Sequence, residues 1–148
     1  MVERDKYTET LASKKRVVAA VIFNSERNAV LLGQRADCGL WEFIGGKVKE
    51  QEGFKKAMIR EIKEELDLEV IPGELLDTID HDLEGDIGVV SVNFIECEPV
   101  GDIFLGRNFP FHDQLTWVKL EDLSGLKLIG SDAVFGQKLA ENFYFQES

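Results

Sequence analysis

The stretch from Gly45 to Leu68 reads GGKVKEQEGFKKAMIREIKEELDL. It opens on two glycines and then carries Glu52, Arg60, Glu61, Glu64 and Glu65. From Gly53 onward the period is helical: Phe54, Met58, Ile62 and Leu66 recur at every fourth position, with Ala57 and Ile59 beside them. At about 100° per residue, Glu61 and Glu65 fall on the face that holds Phe54, Ala57 and Met58. Glu64 lies at its edge, Lys56, Arg60 and Lys63 point away, and Lys55 intrudes on the apolar arc. Glu61, Glu64 and Glu65 are spaced i, i+3, i+4 and are therefore neighbours of like charge. Two carboxylates about 5 Å apart repel by about 3 kcal/mol at an effective dielectric near 20. Half-burying them adds desolvation. A divalent cation removes both penalties, and oxygen-only donors suit a hard ion, Mg²⁺ or Mn²⁺. The same spacing also fits a surface helix with its acids in water, partly paired with Lys56, Lys63 or Arg60. Spacing alone leaves both readings open.

The order of the residues goes further. It resembles the Nudix box, G-x5-E-x7-R-E-U-x-E-E-x-G-U with U aliphatic, and matches it from Gly46 through Glu52, Arg60, Glu61, Ile62, Glu64 and Glu65 to Leu68. Asp67 stands where the family has glycine. That position follows the helix, and a left-handed conformation is expected there, which aspartate tolerates for about 1 kcal/mol. Ile44 departs as well, since many mutator-type (MutT-like) members have proline before the glycine pair, and a looser loop presenting Gly45 is expected.

The resemblance implies an α/β fold, the Nudix α/β/α sandwich with a mixed β-sheet between helices. It implies hydrolysis of a nucleoside diphosphate linked to another moiety, with Mg²⁺ or Mn²⁺ as cofactor. Residue by residue, Glu64 and Glu65 match metal ligands, and Glu61 matches a residue that binds metal or orients the attacking water. The Gly45 carbonyl matches a backbone ligand, and the glycine pair lets the chain approach the metal closely. Arg60 matches the arginine that holds these carboxylates, with Glu52 in a supporting role. Many members also use a glutamate from the loop before the last strand. Here that loop reads Phe111-His112-Asp113-Gln114, and Asp113 is the nearest substitute as base or ligand.

Arg35 and Lys47 are candidates for phosphate contact, against the alternative of solvated surface charges. The run GLWEF at 39–43, followed by IGGKV, looks like the mutator-type and cytidine-triphosphate-pyrophosphohydrolase group. In that group a side chain just before the last helix reads the base edge, and Asp132 occupies the matching position. Asp132 also reads as a helix N-cap. Phe23, Trp41 and Phe43 are candidates for stacking on a base, with core packing as the default for aromatics on strands.

At 148 residues the chain is one domain with room for a core. Residues 1–15 are expected to be a loose arm, 16–140 the Nudix domain and 141–148 a tail. The tail ENFYFQES resembles the E-x-x-Y-x-Q site used to remove purification tags and is set aside from functional argument. A net charge of −11 argues against a nucleic-acid polymer or an anionic membrane as partner, but not against a nucleotide. Two cysteines, Cys38 and Cys97, suit a reduced cytoplasmic protein without a disulfide, and His81 and His112 show no metal-type spacing. No apolar run is long enough to span a bilayer. The expected partner is a small-molecule nucleotide, and the expected state is a monomer or homodimer.

The remaining pattern supplies the other elements. Arg16 to Asn24 (RVVAAVIFN) is apolar throughout, as for a strand buried on both faces, and a hairpin with Ala29 to Arg35 is predicted. Residues 36–40 read as a loop before LWEFI. Strand segments are predicted at Leu68 to Ile71 and Leu75 to His81, broken by Pro72-Gly73, then at Val89 to Glu96 after a turn-rich link. A long loop over Pro99 to Asp113 precedes a last strand, Leu115 to Leu120. A helical turn at Glu121 to Leu123 and a final helix from Ser131 or Asp132 to about Glu141 complete the chain.

Two hydrolytic readings follow: a nucleoside triphosphate pyrophosphohydrolase, or a hydrolase of ADP-ribose or a dinucleoside polyphosphate. A binding domain without turnover is the alternative of a different class. Retention of Glu52, Glu61, Glu64 and Glu65 weighs against it.

Overall fold

A computed structural model describes residues 15–83, 88–106 and 108–147. The arm at 1–14, the link at 84–87 and Ser148 lie outside the described residues.

The apolar run at 16–24 forms β1 (Lys15–Val21), which is buried on both faces. Val18 and Ala20 join one apolar cluster, while Ala19 and Val21 join another. This is the alternation a strand imposes when both its faces are covered. β1 is also hydrogen-bonded along both edges, antiparallel to β4 (Gly45–Lys47) and parallel to β6 (Gly88–Pro99). β5 (Val70–Leu83) closes this mixed sheet in the order β4-β1-β6-β5. A second, antiparallel sheet has the order β3-β2-β7, from β2 (Ala29–Arg35), β3 (Trp41–Glu42) and β7 (His112–Lys119).

The predicted hairpin between the first two strands is therefore corrected. Its base exists: Asn24 N–H donates to Ala29 O over 3.0 Å, and Leu31 N–H donates to Ile22 O over 3.0 Å. Beyond that the strands part. A strand has only two edges, and β4 and β6 occupy both edges of β1.

The interruption predicted at Pro72-Gly73 becomes an irregularity in one long strand. The β5–β6 register shifts between Pro72 and Leu75 and again between Leu75 and Asp77. β5 lies at the sheet edge, where a residue without an N–H is tolerated.

Helix α1 (Phe54–Leu66) lies over one face of the β layer and buries Ala57, Met58, Ile62 and Leu66. Burying side chains such as Met58 and Ile62 completely contributes about 1.5–3 kcal/mol each. Ile59, at the margin of the arc, is exposed. The helix ends at Asp67, with φ 52° and ψ 44°, and its N–H returns to Lys63 O over 2.9 Å. Aspartate thus adopts the left-handed turn expected at the family's glycine.

The opposite face is covered by a 3-10 turn (Leu120–Gly125) and α2 (Gly130–Glu147). Phe135 of α2 stacks on Phe94 at 4.1 Å. α2 begins before Ser131 and runs on through 141–147, so the segment read as a tail continues a helix. β7 likewise begins three residues earlier than predicted, and His112 to Gln114 belong to a strand. The architecture is mixed α/β, with sheets flanked by helices. Both Cys38 and Cys97 are free thiols. No helix among the described residues is long and apolar enough to cross a membrane.

Candidate active site

The glycine pair forms β4, and both glycines are needed for close approach. A Cβ on Gly45 would run into the backbone of Val18 and Ala19 on β1. A Cβ on Gly46 would run into the Glu61 carboxylate. β4 thus presses backbone against β1 on one side and receives a helix carboxylate on the other.

Arg60 organises the acids. Its Nε and Nη2 each donate to Glu52 over 2.8 Å, its Nη1 donates to Glu61 Oε2 over 3.0 Å, and Nη2 also donates to Lys47 O over 2.9 Å. Nη1 reaches Glu64 at 3.4 Å. Glu52 in turn accepts from Lys49 N–H over 2.9 Å. The Arg60 guanidinium, then the Lys49 amide, holds the Glu52 carboxyl down at about 2.

Glu65 faces a different environment. Burial, then the charges of Glu61, Glu42 and Glu64, pushes its carboxyl up to about 8. It lines a cleft of about 510 Å³ together with Gly45, Gly46, Glu42, Arg35, Phe111 and Asp132.

Asp132 reaches this cleft from a position 89 residues away from Phe43. Trp41 N–H donates to Lys127 O and Ile129 N–H donates to Trp41 O, each over 2.9 Å, which ties β3 to the chain just before α2. Asp132 then accepts from Phe43 N–H over 2.8 Å. The last helix already begins at Gly130, so Asp132 lies inside its first turn and is not the N-cap. Burial dominates the surroundings of this acid, offset by the Phe43 bond, and pushes its carboxyl up to about 7.

Other expected site residues are placed less favourably. Arg35 lines the cleft, but its Nε and Nη2 are taken by Asp37, at 3.0 and 2.6 Å. Lys47 is exposed and does not line the cleft; its carbonyl serves Arg60. The Phe43 ring sits edge-on to Phe94 and Phe135 in the core, 5.7 and 5.4 Å away, and is not a free stacking surface. Asp113 is exposed beside buried His112 and does not line the cleft; it sits in a β-bulge, with Gln34 paired to Gln114 and Arg35 to His112. Ile44 is fully buried and its carbonyl accepts from Ala20 N–H over 2.7 Å, so the chain before Gly45 is anchored rather than loosened.

Three residues escape the sequence reading: Glu42 on the cleft wall, Phe111 on its rim, and His112 behind Glu42. Phe111 is 62% exposed, unusual for a phenylalanine. Its signal in sequence was an aromatic inside a Gly/Pro-punctuated loop.

Oxygen donors fit a hard divalent ion here. Glu61 sits against Gly46, and the Glu65 carboxyl is raised by burial and then by neighbouring charge, the second of which a cation would offset. Among the described residues no three His, Cys, Asp or Glu side chains are already drawn together tightly enough to enclose an ion. Glu64, 55% exposed, is directed at Arg60.

A NUDIX domain model matches residues 13–140. This chain belongs to the NUDIX domain family. The domain is 38% identical over 73 residues to an 8-oxo-dGTP diphosphatase of Proteus vulgaris, covering 47% of this chain and 65% of that protein. It is 42% identical over 76 residues to a CTP pyrophosphohydrolase of Escherichia coli K12, covering 48% and 54%. The aligned stretch thus spans about half to two thirds of the length of these relatives. In three dimensions the NUDIX domain is similar to the ORF135 protein of E. coli, with a TM-score of 0.67 and 29% identity over 93% of this chain and 95% of that one.

Proposed function

We propose that this NUDIX domain is a metal-dependent pyrophosphohydrolase that cleaves a nucleoside triphosphate to the monophosphate and pyrophosphate, in a nucleotide-pool, cytoplasmic role. One observation carries the proposal. The Glu61 carboxylate is seated against Gly46, and Gly46 and a Glu65 carboxyl raised to about 8 line a cleft large enough for a nucleotide.

Glu61, Glu64, Glu65 and the Gly45 carbonyl would hold Mg²⁺ or Mn²⁺, with Arg60 and Glu52 setting the direction of the carboxylates. When bound, the ion would neutralise charge developing on the bridging and leaving phosphate oxygens. Glu61, held by Arg60, is aimed to orient the attacking water. Water adds to phosphorus, the bond to the bridging oxygen breaks, and pyrophosphate departs. Arg35 stands at the cleft wall to meet phosphate. Asp132, with one oxygen on Phe43 N–H, offers the other to the base edge; at about 7 its carboxyl can accept from an exocyclic amine or donate when protonated. The two curated relatives act, by name, on 8-oxo-dGTP and on CTP, and these two nucleotides head the substrate panel.

The test is phosphorus NMR of products from a panel of normal and 8-oxo triphosphates, ADP-ribose and diadenosine polyphosphates. Monophosphate with pyrophosphate from a triphosphate supports the proposal. Cleavage of ADP-ribose alone, to two monophosphates, replaces it with the second hydrolytic reading. No product with folded protein replaces it with a binding domain.

A further inference from the structure

β2 carries a glycine, Gly33, in its buried interior, and a histidine is among the side chains packed against it. A Cβ on Gly33 would come within 2.6 Å of His112 Cδ2, 2.7 Å of Ile44 Cδ1 and 2.9 Å of Leu115 Cδ2. A strand gives up packing when it takes glycine, and here the space admits an imidazole. The His112 side chain is 1% exposed. Its Nε2 lies 2.8 Å from Glu42 Oε2, and its Nδ1 is buried with no hydrogen-bond partner. An apolar side chain would fill that space without leaving a polar atom unpaired. The bond to Glu42 is therefore the one polar contact the imidazole makes.

That bond also defines the ring. A carboxylate only accepts, so Nε2 carries the proton and donates to Glu42. With Nδ1 unpartnered, the imidazole makes its one hydrogen bond through Nε2, aimed in one direction. Glu42 is held from the other side by Arg35, whose Nη1 is 3.7 Å from Oε1. The fixed carboxylate lines the cleft with Glu65 and Asp132.

We propose that His112 is a positioning residue for substrate binding, acting through Glu42: its Nε2–H fixes the Glu42 carboxylate as an acceptor aimed at an amine or hydroxyl donor of the nucleotide. The proposal rests on the reading of the cleft as a nucleotide site. It assigns His112 no contact with substrate and no part in the chemical step.

The experiment is a double-mutant cycle between His112→Phe and Glu42→Gln on the best triphosphate, with melting curves on every variant. His112→Phe raises KM by about tenfold, while kcat falls by much less. In the Glu42→Gln background the same change adds nothing further. His112→Gln, whose amide can donate from a similar position, recovers most of the loss. Multiplied effects in the double variant, or an unchanged KM in folded His112→Phe, overturn the proposal. A readout that needs neither turnover nor variants accompanies it, the nitrogen-15 spectrum of the wild-type imidazole. The Nε2–H tautomer is expected. An Nδ1–H tautomer, which has no Nε2 proton to donate, overturns the proposal, even if no nucleotide proves to be a substrate and the functional reading itself has failed.

Discussion

Arg60 clasps Glu52 with two parallel hydrogen bonds, each 2.8 Å long, across an eight-residue separation that joins the loop after β4 to the second turn of α1. The remaining guanidinium nitrogen, Nη1, turns to Glu61 and Glu64. One arginine therefore fixes the helix to the glycine-rich strand and sets the direction of the acids beside it. Lysine has neither the fork nor the number of donors to do both.

Glu52→Gln is expected to lower turnover by about 10- to 100-fold, the range for partners that orient ligands. It also changes acid stability. The Glu52 carboxyl is held at about 2, against 4.5 for the free group. A depressed acid contributes stability that is full above the unfolded value and is lost as pH falls toward the folded one. The melting temperature of wild type should thus converge on that of Glu52→Gln between about pH 4.5 and 2. A constant gap across that window would remove the Arg60 clasp from the stability of the fold.

The two glycines should respond differently to alanine. At Gly45 the added methyl meets the β1 backbone, which has no rotamer to change, and about 1–3 kcal/mol of stability is expected to go. At Gly46 it meets the Glu61 carboxylate, which can swing away. Gly46→Ala should stay folded and lose most of its turnover. Chemical denaturation and initial rates on both variants separate the two effects.

Glu64 is the most exposed of the helix acids, and its loss should be silent in folding. Glu64→Gln is expected to leave the melting curve in place and cut turnover by about two orders of magnitude, the scale of removing one preorganised electrostatic contact. Near-normal rates would take Glu64 out of the site and leave it as a surface partner of Arg60.

Asp132→Asn keeps an acceptor for Phe43 N–H and removes the titration. The ranking of bases should change more than the maximal rate. In wild type the ranking should itself shift between pH 6 and 8, because the carboxyl titrates near 7. The sign for stability is the reverse of Glu52. An acid raised from 3.8 to about 7 favours the protonated folded state, so its contribution is greatest below 3.8 and declines as pH rises through 7. Asp132→Asn should be less sensitive over that interval, and substrate competition and melts at stepped pH check both statements.

Much of this was legible in the chain because the signals are local. The helical period at 54–66 and the carboxylate spacing lie within a few turns, and the doubly apolar run at 16–24 announces a strand buried on both faces. What escaped depends on pairing at a distance. Nothing in Arg16 to Asn24 says that β4 and β6 will take both its edges, so the local turn at 24–29 suggested a hairpin that opens into two sheets. Phe43 was read as a ring, yet its backbone N–H is what engages the cleft through Asp132. Asp113 and His112 show the cost of a misplaced boundary. β7 starts at His112 with a bulge at Asp113, which leaves Asp113 exposed and the histidine buried behind Glu42.

The measurement that tests the central claim most directly is pyrophosphate release from CTP and 8-oxo-dGTP by wild type and Glu65→Gln, in Mg²⁺ and again in chelator. Release by wild type in Mg²⁺, its abolition by chelator, and a loss of about two orders of magnitude or more in a folded Glu65→Gln variant are expected. Release that survives chelator, or a Glu65→Gln variant as fast as wild type, would contradict the claim.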